Sequence, residues 1–594
     1  MKLPKSARTM LRRTPIGPLG VAGGPVLLEI DIARGVQEAP AASPVEVVRA
    51  RHTPILRTLV EHLRKATTDT DVAGLIAGIG PGALTVSQSE ELRSAVQDFR
   101  AAGKVAIAWS PSFGEMSAGT TGYHLATAFD EIWLQPSGGL GLVGYHAEAP
   151  FARGALERLG VEPQMSRRHE YKSATEIFDR HEMSEPNAEM TQRLLDSITE
   201  SVVADIAGGR GIEEAAVRSA IDAGPLTADE ALARNLIDHI GYRDGAYAAA
   251  QERIGAAEPT LRFVERHGSN RIESLVGDVV RMPVGVGGKQ VIGVIQASGP
   301  ILLGRGGSGL SAGPVVASEQ LGAALRSAGR DDNVRAVVLR IDSPGGSNVA
   351  SDAIRREIQL VRRRKPVIAS MASVAASGGY YLAMPCTAIV ANATTITGSI
   401  GVLAGKQVLR GGLERIGINR ATLASGPYAA MFSSNQGFSE AEWALLDRWL
   451  DEVYAGFTAK AAADRSLPVE DLRAVARGRV WSGADAAERG LVDQLGGFEA
   501  ALAEACRRSG VGVEDVSVRA IPKPSPLQLL KPMDSTDAVE ATAGFGGGHE
   551  GILGGVAEGP AVWRALLASV REIVGLPYAG VLSLPPIRIA DVLP

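Results

Sequence analysis

One serine and one lysine, far apart in the sequence, could together form a nucleophile and its base. Ser377 lies in the run Ala375–Ala383 and precedes two glycines, and Lys172 lies in the run Tyr171–Ala174. Glycines after a serine let the backbone turn sharply and let another chain approach. A serine at the start of a helix also benefits from the helix dipole, which favours an alkoxide. A capping serine in a tight turn has the same local sequence, so Ser377 alone does not establish catalysis.

Both segments occur twice in the chain, at one offset of 257 residues. The first copy has Thr120 at the position of Ser377, and the second copy has Ala429 at the position of Lys172. Each copy has therefore kept one member of a pair that could act together. The requirements of folding do not explain this reciprocal loss, because the duplicated fold accepts either residue at each position.

Lys172 can act as a general base only if burial lowers its pKa from about 10.4 towards neutrality. Most lysines are solvated surface charges, but the duplicate position holds alanine, so the fold does not need a cation there. A histidine base is the alternative. No histidine lies between His267 and His549, which leaves His124 and His169 as candidates. A Ser–Lys dyad requires fewer assumptions and is a known variant of nucleophilic catalysis.

A second glycine-rich turn could stabilise the negative charge that develops during acyl transfer. Gly345 and Gly346 follow a predicted strand and can present unobstructed N–H groups. We predict an oxyanion hole formed by the N–H of Gly378 together with that of Gly345 or Gly346. The residues predicted to bind substrate are small or polar and lie near the two turns: Ser347, Ala372, Ser373, Thr397, Gly398 and Ser399.

Short β-branched runs alternate with helical stretches in both copies, which predicts an α/β fold with a buried, largely parallel sheet. The predicted strands are 26–32 with 291–295, 71–79 with 333–341 and 105–109 with 366–371, and the predicted helices are 87–100 and 349–363. The repeats cover residues 20–250 and 288–510, with a connector over 251–287. Beyond residue 522 the sequence is irregular, with a glycine-rich run and scattered prolines, and we predict a flexible tail over 523–594 with one helix around 561–574.

The composition of the 594-residue chain excludes several classes of function. A net charge of −5 and a pI near 6.1 argue against a nucleic-acid partner, which normally requires a basic excess. Cys386 and Cys506 are too few for a disulfide framework or a cysteine-based metal site, and no cofactor or metal is indicated. The apolar stretches 16–28 and 573–587 are unsuited to spanning a membrane, but either could touch a bilayer surface.

These motifs resemble the signal peptide peptidase A (protease IV) family of serine peptidases in its long, duplicated form. The resemblance covers residues 20–510 and depends on Ser343–Gly346, Ala375–Ala383, Thr397–Val402 and Tyr171–Ala174. It implies two tandem ClpP/crotonase-like repeats, with the catalytic serine in the second and the catalytic lysine in the first. It also implies a homo-tetramer or other ring, associated peripherally or weakly with a membrane of the bacterial cell envelope. The implied substrates are remnants of signal peptides and other small apolar peptides.

Two features depart from the family pattern. Ile177 occupies the place of a proline in the run around the lysine, and no convincing membrane anchor precedes the first repeat, which leaves the side of the membrane open. Two other functions are compatible with such a fold, since fold does not fix function. A crotonase-like acyl-CoA enzyme would use oxyanion-hole amides without a lysine beside Ser377. A non-catalytic membrane scaffold would leave Lys172 exposed and far from Ser377.

Overall fold

In a computed structural model, the chain forms two α/β halves that share one plan. The described residues are 25–33, 35–38, 53–80, 84–115, 117–256, 258–264, 290–305, 314–513 and 516–522, with short strands at 582–583 and 588–589. The helix expected around 561–574 lies outside the described residues.

The first half contains a six-stranded parallel sheet. Its strands are β1 (Val26–Asp31), β2 (Val72–Gly78), β3 (Val105–Ser110) and β4 (Glu131–Leu134), followed after four short strands by β9 (His239–Ile240) and β10 (Thr260–Phe263). Those four are β5 (Gly139–Leu140), β6 (Ala147–Glu148), β7 (Glu162–Arg167) and β8 (Leu226–Thr227). The order across the sheet is β10-β1-β2-β3-β4-β9, and β5 pairs antiparallel with β8.

The second half repeats this arrangement. Its strands are β11 (Gln290–Ser298), β12 (Ile301–Leu302), β13 (Val316–Ala317), β14 (Val334–Ser343), β15 (Gly345–Gly346), β16 (Val367–Ala376), β17 (Ala388–Ala391), β18 (Ile396–Gly398), β19 (Leu403–Val408), β20 (Val480–Ser482), β21 (Gln494–Leu495) and β22 (Val516–Ala520). The parallel order β22-β11-β14-β16-β17-β21 matches the first sheet strand for strand, and β18 pairs antiparallel with β20 as β5 does with β8. The largely parallel sheet and the duplication are both confirmed.

Helices cover these sheets and supply their buried apolar faces. The first half contains α1 (Leu56–Thr68), α2 (Val86–Ala101), α3 (Thr120–Ala126), α4 (Arg153–Leu159), α5 (Glu176–Asp179), α6 (Glu185–Arg210), α7 (Glu214–Ala223), α8 (Ala228–Ala233) and α9 (Arg243–Arg253). The second contains α10 (Ser318–Arg330), α11 (Asn348–Arg362), α12 (Gly378–Ala383), α13 (Arg410–Arg415), α14 (Glu440–Arg465), α15 (Val469–Val475), α16 (Gly483–Glu488) and α17 (Phe498–Ser509). Capping explains several boundaries: the Thr85 and Ser439 side chains accept N–H bonds at the starts of α2 and α14.

The sheets extend further along the chain than the sequence indicated. Strand β10 pairs in parallel with β1 and belongs to the first sheet, although we placed its residues in the connector. Strand β22 likewise joins the second sheet beyond residue 510. Both are short edge strands without a buried residue, and Leu261 and Phe263 of β10 are exposed, so neither segment has the buried apolar run by which the sequence marks a strand.

The two halves interlock. Strand β7 of the first half pairs antiparallel with β19 of the second over six residues. The apolar cluster of the first half includes Val374, Ile396 and Val480 from the second. Because side chains of both halves share one core, each half stabilises the other. Among the described residues, no helix has the length and apolar character needed to cross a bilayer.

Candidate active site

Ser377 lies where β16 ends and α12 begins, as the sequence predicted. Its side chain is fully buried, and its backbone has φ 56° and ψ −112°. This conformation is strained for a residue with a side chain, and such strain is characteristic of functional turns. The Ser377 N–H donates to the carbonyl oxygen of Gly398 at 2.8 Å. The sharp turn is thus fixed to strand β18, which in turn fixes the direction of the hydroxyl.

Lys172 reaches Ser377 from the other half of the molecule. Its Nζ lies 2.8 Å from Ser377 Oγ, 2.9 Å from Ser399 Oγ and 3.0 Å from the carbonyl oxygen of Ser399. The lysine is fully buried, and this burial lowers its pKa well below the usual 10.5, because the charged form loses its solvation. The predicted proximity of the two side chains is therefore confirmed.

The three contacts of Nζ suit a neutral amine. A neutral amine has two N–H donors and one lone pair. The carbonyl oxygen of Ser399 can only accept, and the Ser399 hydroxyl can take the second N–H. The lone pair then remains for the hydroxyl proton of Ser377, which is the arrangement that a general base requires. Ser399 therefore orients the amine, a contact that the sequence did not reveal.

Glycines of the second half form the wall against which Lys172 packs. Gly478 has φ +82°, and a methyl group there would lie 2.5 Å from the backbone nitrogen of Lys172. A methyl group on Gly401 would lie 3.1 Å from the Cδ of Lys172. The sequence analysis did not single out Gly478, because this residue lies about a hundred positions after the motif around Ser377. The preceding Arg477 also has a positive φ, of 55°, which marks this turn as unusual.

Ion pairs between the halves hold the lysine segment in place. Arg477 donates to both carboxylate oxygens of Glu170 at 2.9 and 3.1 Å. Arg479 donates to both oxygens of Glu189 and lies over the ring of Tyr171, 4.7 Å from its centroid. Bidentate pairs of this kind fix geometry as well as distance. Residues flanking Lys172 are thereby bound to residues flanking Gly478.

The predicted oxyanion glycines lie together. A methyl group on Gly378 would lie 3.1 Å from both the Cα of Gly345 and the nitrogen of Gly346, so these backbones are in close contact. The Gly345 N–H donates to Ser343 Oγ at 3.2 Å and is already engaged. Gly378 begins α12, where an N–H has no partner within the helix. Gly346 and Gly378 are therefore the better pair of donors.

The residues predicted to bind substrate lie around the dyad, but their hydroxyl groups already have partners. Ser347 caps α11, Ser373 contacts Thr85 Oγ1 at 2.7 Å, and Thr397 donates to the carbonyl oxygen of Ala375 at 2.7 Å. The carbonyl oxygens of Ala372 and Gly398 likewise accept from Thr395 and Ser377. A role for these residues in binding substrate stays a prediction.

Comparison with known proteins identifies the family of this chain. A model of peptidase family S49 matches residues 99–257 and 359–512, more than half of the chain. The chain belongs to peptidase family S49. It is 34% identical to the chloroplastic serine protease SPPA of Arabidopsis thaliana, over 84% of this chain and 71% of that protein. It is 29% identical to protease 4 of Salmonella typhi, over 75% of this chain and 71% of that protein. For protease 4 of Haemophilus influenzae the identity is 28%, over 77% and 74%.

This S49 chain is therefore a serine peptidase of the signal peptide peptidase A type, as its motifs indicated. Lys172 falls in the first matched segment and Ser377 in the second. The two alternative functions drawn from the sequence, an acyl-CoA enzyme and a non-catalytic scaffold, receive no support from these relatives. The buried contact between Lys172 and Ser377 also differs from what a scaffold would show.

The two histidines considered as bases are engaged elsewhere in this S49 peptidase. His124 is buried between Ser89 Oγ and Asp205 Oδ2, each 2.8 Å from a ring nitrogen, and burial and Arg93 lower its pKa to about 4. His169 lies against the ring of Tyr454, with centroids 4.4 Å apart. The titratable side chain that contacts Ser377 Oγ is that of Lys172.

The duplicate positions lack any equivalent of the dyad. The Thr120 hydroxyl accepts the N–H groups of Val143 and Gly144, so a backbone loop occupies the place where an amine would be needed. Ala429 is exposed on the second half. Within the described part of the chain, no group of histidine, cysteine and acidic residues is arranged to hold a metal ion.

Proposed function

We propose that Ser377 and Lys172 form the catalytic dyad of this serine peptidase, and that its substrates are extended apolar peptides, including remnants of signal peptides. The observation that supports this most directly is the 2.8 Å contact between Nζ and Oγ in a fully buried setting. The fold does not require a lysine at this buried position, where burial disfavours its charged form. A lysine whose pKa is lowered by burial is a typical activated base.

The reaction follows from these contacts. Ser377 Oγ attacks the scissile carbonyl carbon while Lys172 Nζ takes the hydroxyl proton. The N–H groups of Gly346 and Gly378 stabilise the oxyanion. Lys172 then gives its proton to the leaving amine, which leaves an ester on Ser377. In the second half of the reaction the neutral lysine takes a proton from water, the hydroxide attacks the ester, and Ser377 regains its proton as the acid product leaves.

The substrate binds as an extended strand. Gly345–Gly346 form a short strand beside the dyad, and a peptide can pair with its main chain without regard to sequence. The segments beside Ser377 contain no cluster of like charges to select a charged side chain. We expect cleavage after Leu, Ala, Val or Phe, and preference for unfolded peptides over folded proteins. Digestion of a peptide library tests this; dominant cleavage after Arg, Lys, Asp or Glu would contradict it.

Assembly into a closed homo-oligomer, peripheral at a membrane of the cell envelope, belongs to the same proposal. Several large apolar side chains of the α13–α14 connection are exposed, with Leu423 100% and Phe432 73% accessible. Exposed apolar side chains, where they adjoin one another, are usual at sites of association with proteins or membranes. Light scattering combined with a peptidase assay checks this, and a stable, fully active monomer would count against it.

The dyad is tested by labelling and by matched variants. A fluorophosphonate probe should modify Ser377, and Ser377→Ala and Lys172→Met should each reduce turnover by about 10⁴-fold or more, with no further loss in the double variant. Ser89→Ala and Lys365→Met serve as controls, because they change a buried serine beside His124 and a lysine bound to carbonyl oxygens of Ala328 and Asp331. Turnover that persists in Lys172→Met, or that is lost in Ser89→Ala, would refute the assignment.

A further inference from the structure

A short strand near the C-terminus pairs with the glycine strand of the site. Residues Leu582–Ser583 form β23, which runs antiparallel to β15, with Ser583 opposite Gly345 and Leu582 opposite Gly346. Strand β12 lies on the other side of β15. Both edges of the glycine strand are therefore occupied, one by a neighbouring strand and the other by the chain's own terminal segment.

The edge that β23 covers is the one that faces the reaction. Ser347 donates its N–H to the carbonyl oxygen of Ile301 on β12, so Gly346 directs its own N–H towards the opposite edge, as alternate residues of a strand do. The same Gly346 lies against Gly378, next to Ser377. A strand on this edge lies where an extended substrate would pair and beside the N–H assigned to the oxyanion hole.

A second short strand near the C-terminus pairs with the other half of the molecule. Residues Arg588–Ile589 form β24, antiparallel to β6, with Arg588 opposite Glu148 and Ile589 opposite Ala147. Strand β6 belongs to the half that provides Lys172. The main chain therefore attaches the strand at 582–583 to the half that carries Ser377, and the strand at 588–589 to the half that carries Lys172.

The composition of the segment matches that of the proposed substrates. Residues 573–587 contain no charged side chain, and leucine, isoleucine and valine recur among them. Main-chain pairing requires little beyond an extended apolar strand. A segment of this kind, attached to the enzyme by its own chain, has a high effective concentration at the site.

We propose that strand Leu582–Ser583 docks on the Gly345–Gly346 edge as an intramolecular competitor of peptide substrates. This inference rests on the proposed function, because it takes that edge as the substrate site. Displacement of the segment by substrate makes the inhibition competitive, so it raises the apparent KM and leaves kcat unchanged. An effective concentration near 1 mM against a dissociation constant near 0.1 mM raises the KM by about tenfold.

Two full-length double variants test the proposal. Leu582→Pro with Ser583→Pro removes both N–H donors from β23, and proline is poorly tolerated within a pairing strand. Leu582→Ala with Ser583→Ala keeps the main chain intact and is the matched control. The proline variant should show a KM about tenfold lower than the parent, at equal kcat and with faster fluorophosphonate labelling of Ser377, whereas the alanine variant should resemble the parent. Equal KM values in parent and proline variant would overturn the proposal.

Binding of the segment is measured separately from catalysis. A fluorescent synthetic peptide of residues 578–591 is titrated into the full-length proline variant that also carries Ser377→Ala. Saturable binding, absent when the parent segment is intact, supports docking even if the dyad assignment fails. Peptidase activity in the parent combined with no peptide binding and no change in KM would reject docking and leave the proposed function standing.

Discussion

Lys172 is buried, so its charged form is not solvated by water, and no carboxylate among the described residues compensates for this loss. The cause of the lowered pKa is burial alone. The unfolded chain exposes the same lysine to water, so its pKa there is near 10.4. Between the two pKa values the unfolded state binds more protons than the folded state, and stability therefore rises with pH across that window. At neutral pH the buried lysine therefore lowers the free energy of unfolding, and a catalytic role explains why such a destabilising residue is present.

Lys172→Met should therefore stabilise the protein while it abolishes catalysis. Methionine fills a similar volume without a group that must lose its proton on folding. Thermal unfolding of parent and variant from pH 6 to 10 should give the variant the higher melting temperature at pH 7, with the difference shrinking as the pH approaches 10. In the parent, kcat/KM should rise with pH through the lysine's lowered pKa. A variant less stable than the parent at every pH would show that the lysine contacts stabilise the fold.

At the scale of elements, two turns and a bulge bring the dyad together. The turn at Gly478 presses against the backbone of Lys172, and the turn at Ser377 is fixed by Gly398. Between them, the pairing of β14 with β16 shifts register between Ile341 and Ser343. This bulge separates the glycine strand β15 from the strand that carries the serine. Bulges next to active sites commonly redirect side chains in this way.

Gly478→Ala should reduce turnover by about 100-fold, because displacing a catalytic group by about 1 Å can lower the reaction rate by that factor. Its methyl group would lie 2.5 Å from the nitrogen of Lys172. Gly417 is the matched control: its φ of +80° is nearly the same, and a methyl group there meets nothing within 4 Å. Each alanine costs about 1 kcal/mol of backbone strain. Equal turnover in the two variants would mean that contact with Lys172 does not position the amine.

Asp342 lies at the bulge, where the main-chain pairing of β14 with β16 is interrupted. Its Oδ1 accepts the N–H of Val374 at 3.1 Å. Burial, with Glu38 nearby, raises the pKa of this carboxyl to about 7. The folded state therefore takes up a proton, and its stability falls as the pH rises from about 4 to 7. Asp342→Asn keeps the acceptor and should remove that slope, whereas Asp342→Ala should cost about 1–3 kcal/mol through an unpaired N–H. Urea unfolding at pH 5 and pH 8 measures both; a stability difference between the parent and Asp342→Asn that is the same at the two pH values would contradict the argument.

The sequence predicted the central strands, helices α2 and α11 and the contact of Lys172 with Ser377, because each leaves a local pattern. Apolar runs mark buried strands, and the reciprocal losses at Thr120 and Ala429 mark Ser377 and Lys172. It did not predict Gly478 or the orienting role of Ser399. These depend on which turns meet in space across the two halves, and no local pattern records that. The edge strands β10 and β22 were missed for a similar reason, since pairing rather than composition defines them.

At the scale of the molecule, the site exists only where the halves meet. In the proposed reaction the first half provides the amine, and the second provides the nucleophile, the orienting hydroxyl and the oxyanion donors. The pairing of β7 with β19 and the ion pairs of Arg477 and Arg479 join them. Arg193 adds a pair with Asp485, whose oxygens lie 3.1 and 2.9 Å from its nitrogens. These contacts do not depend on the continuity of the chain between the halves.

Cleavage of the chain between Val264 and Gln290 should therefore leave an active protein. A specific protease site placed between these residues allows the folded enzyme to be cut after purification. We expect both fragments to co-elute in gel filtration and to retain at least about half of the parent turnover, because the shared core and the main-chain pairing of β7 with β19 hold each half in place. Each half expressed alone should be inactive, since it holds one member of the dyad.

A Ser377→Ala chain cut in the same way is the control for contaminating peptidases. Loss of turnover on cutting, with the fragments still associated, would mean that the covalent connection itself positions Lys172 against Ser377.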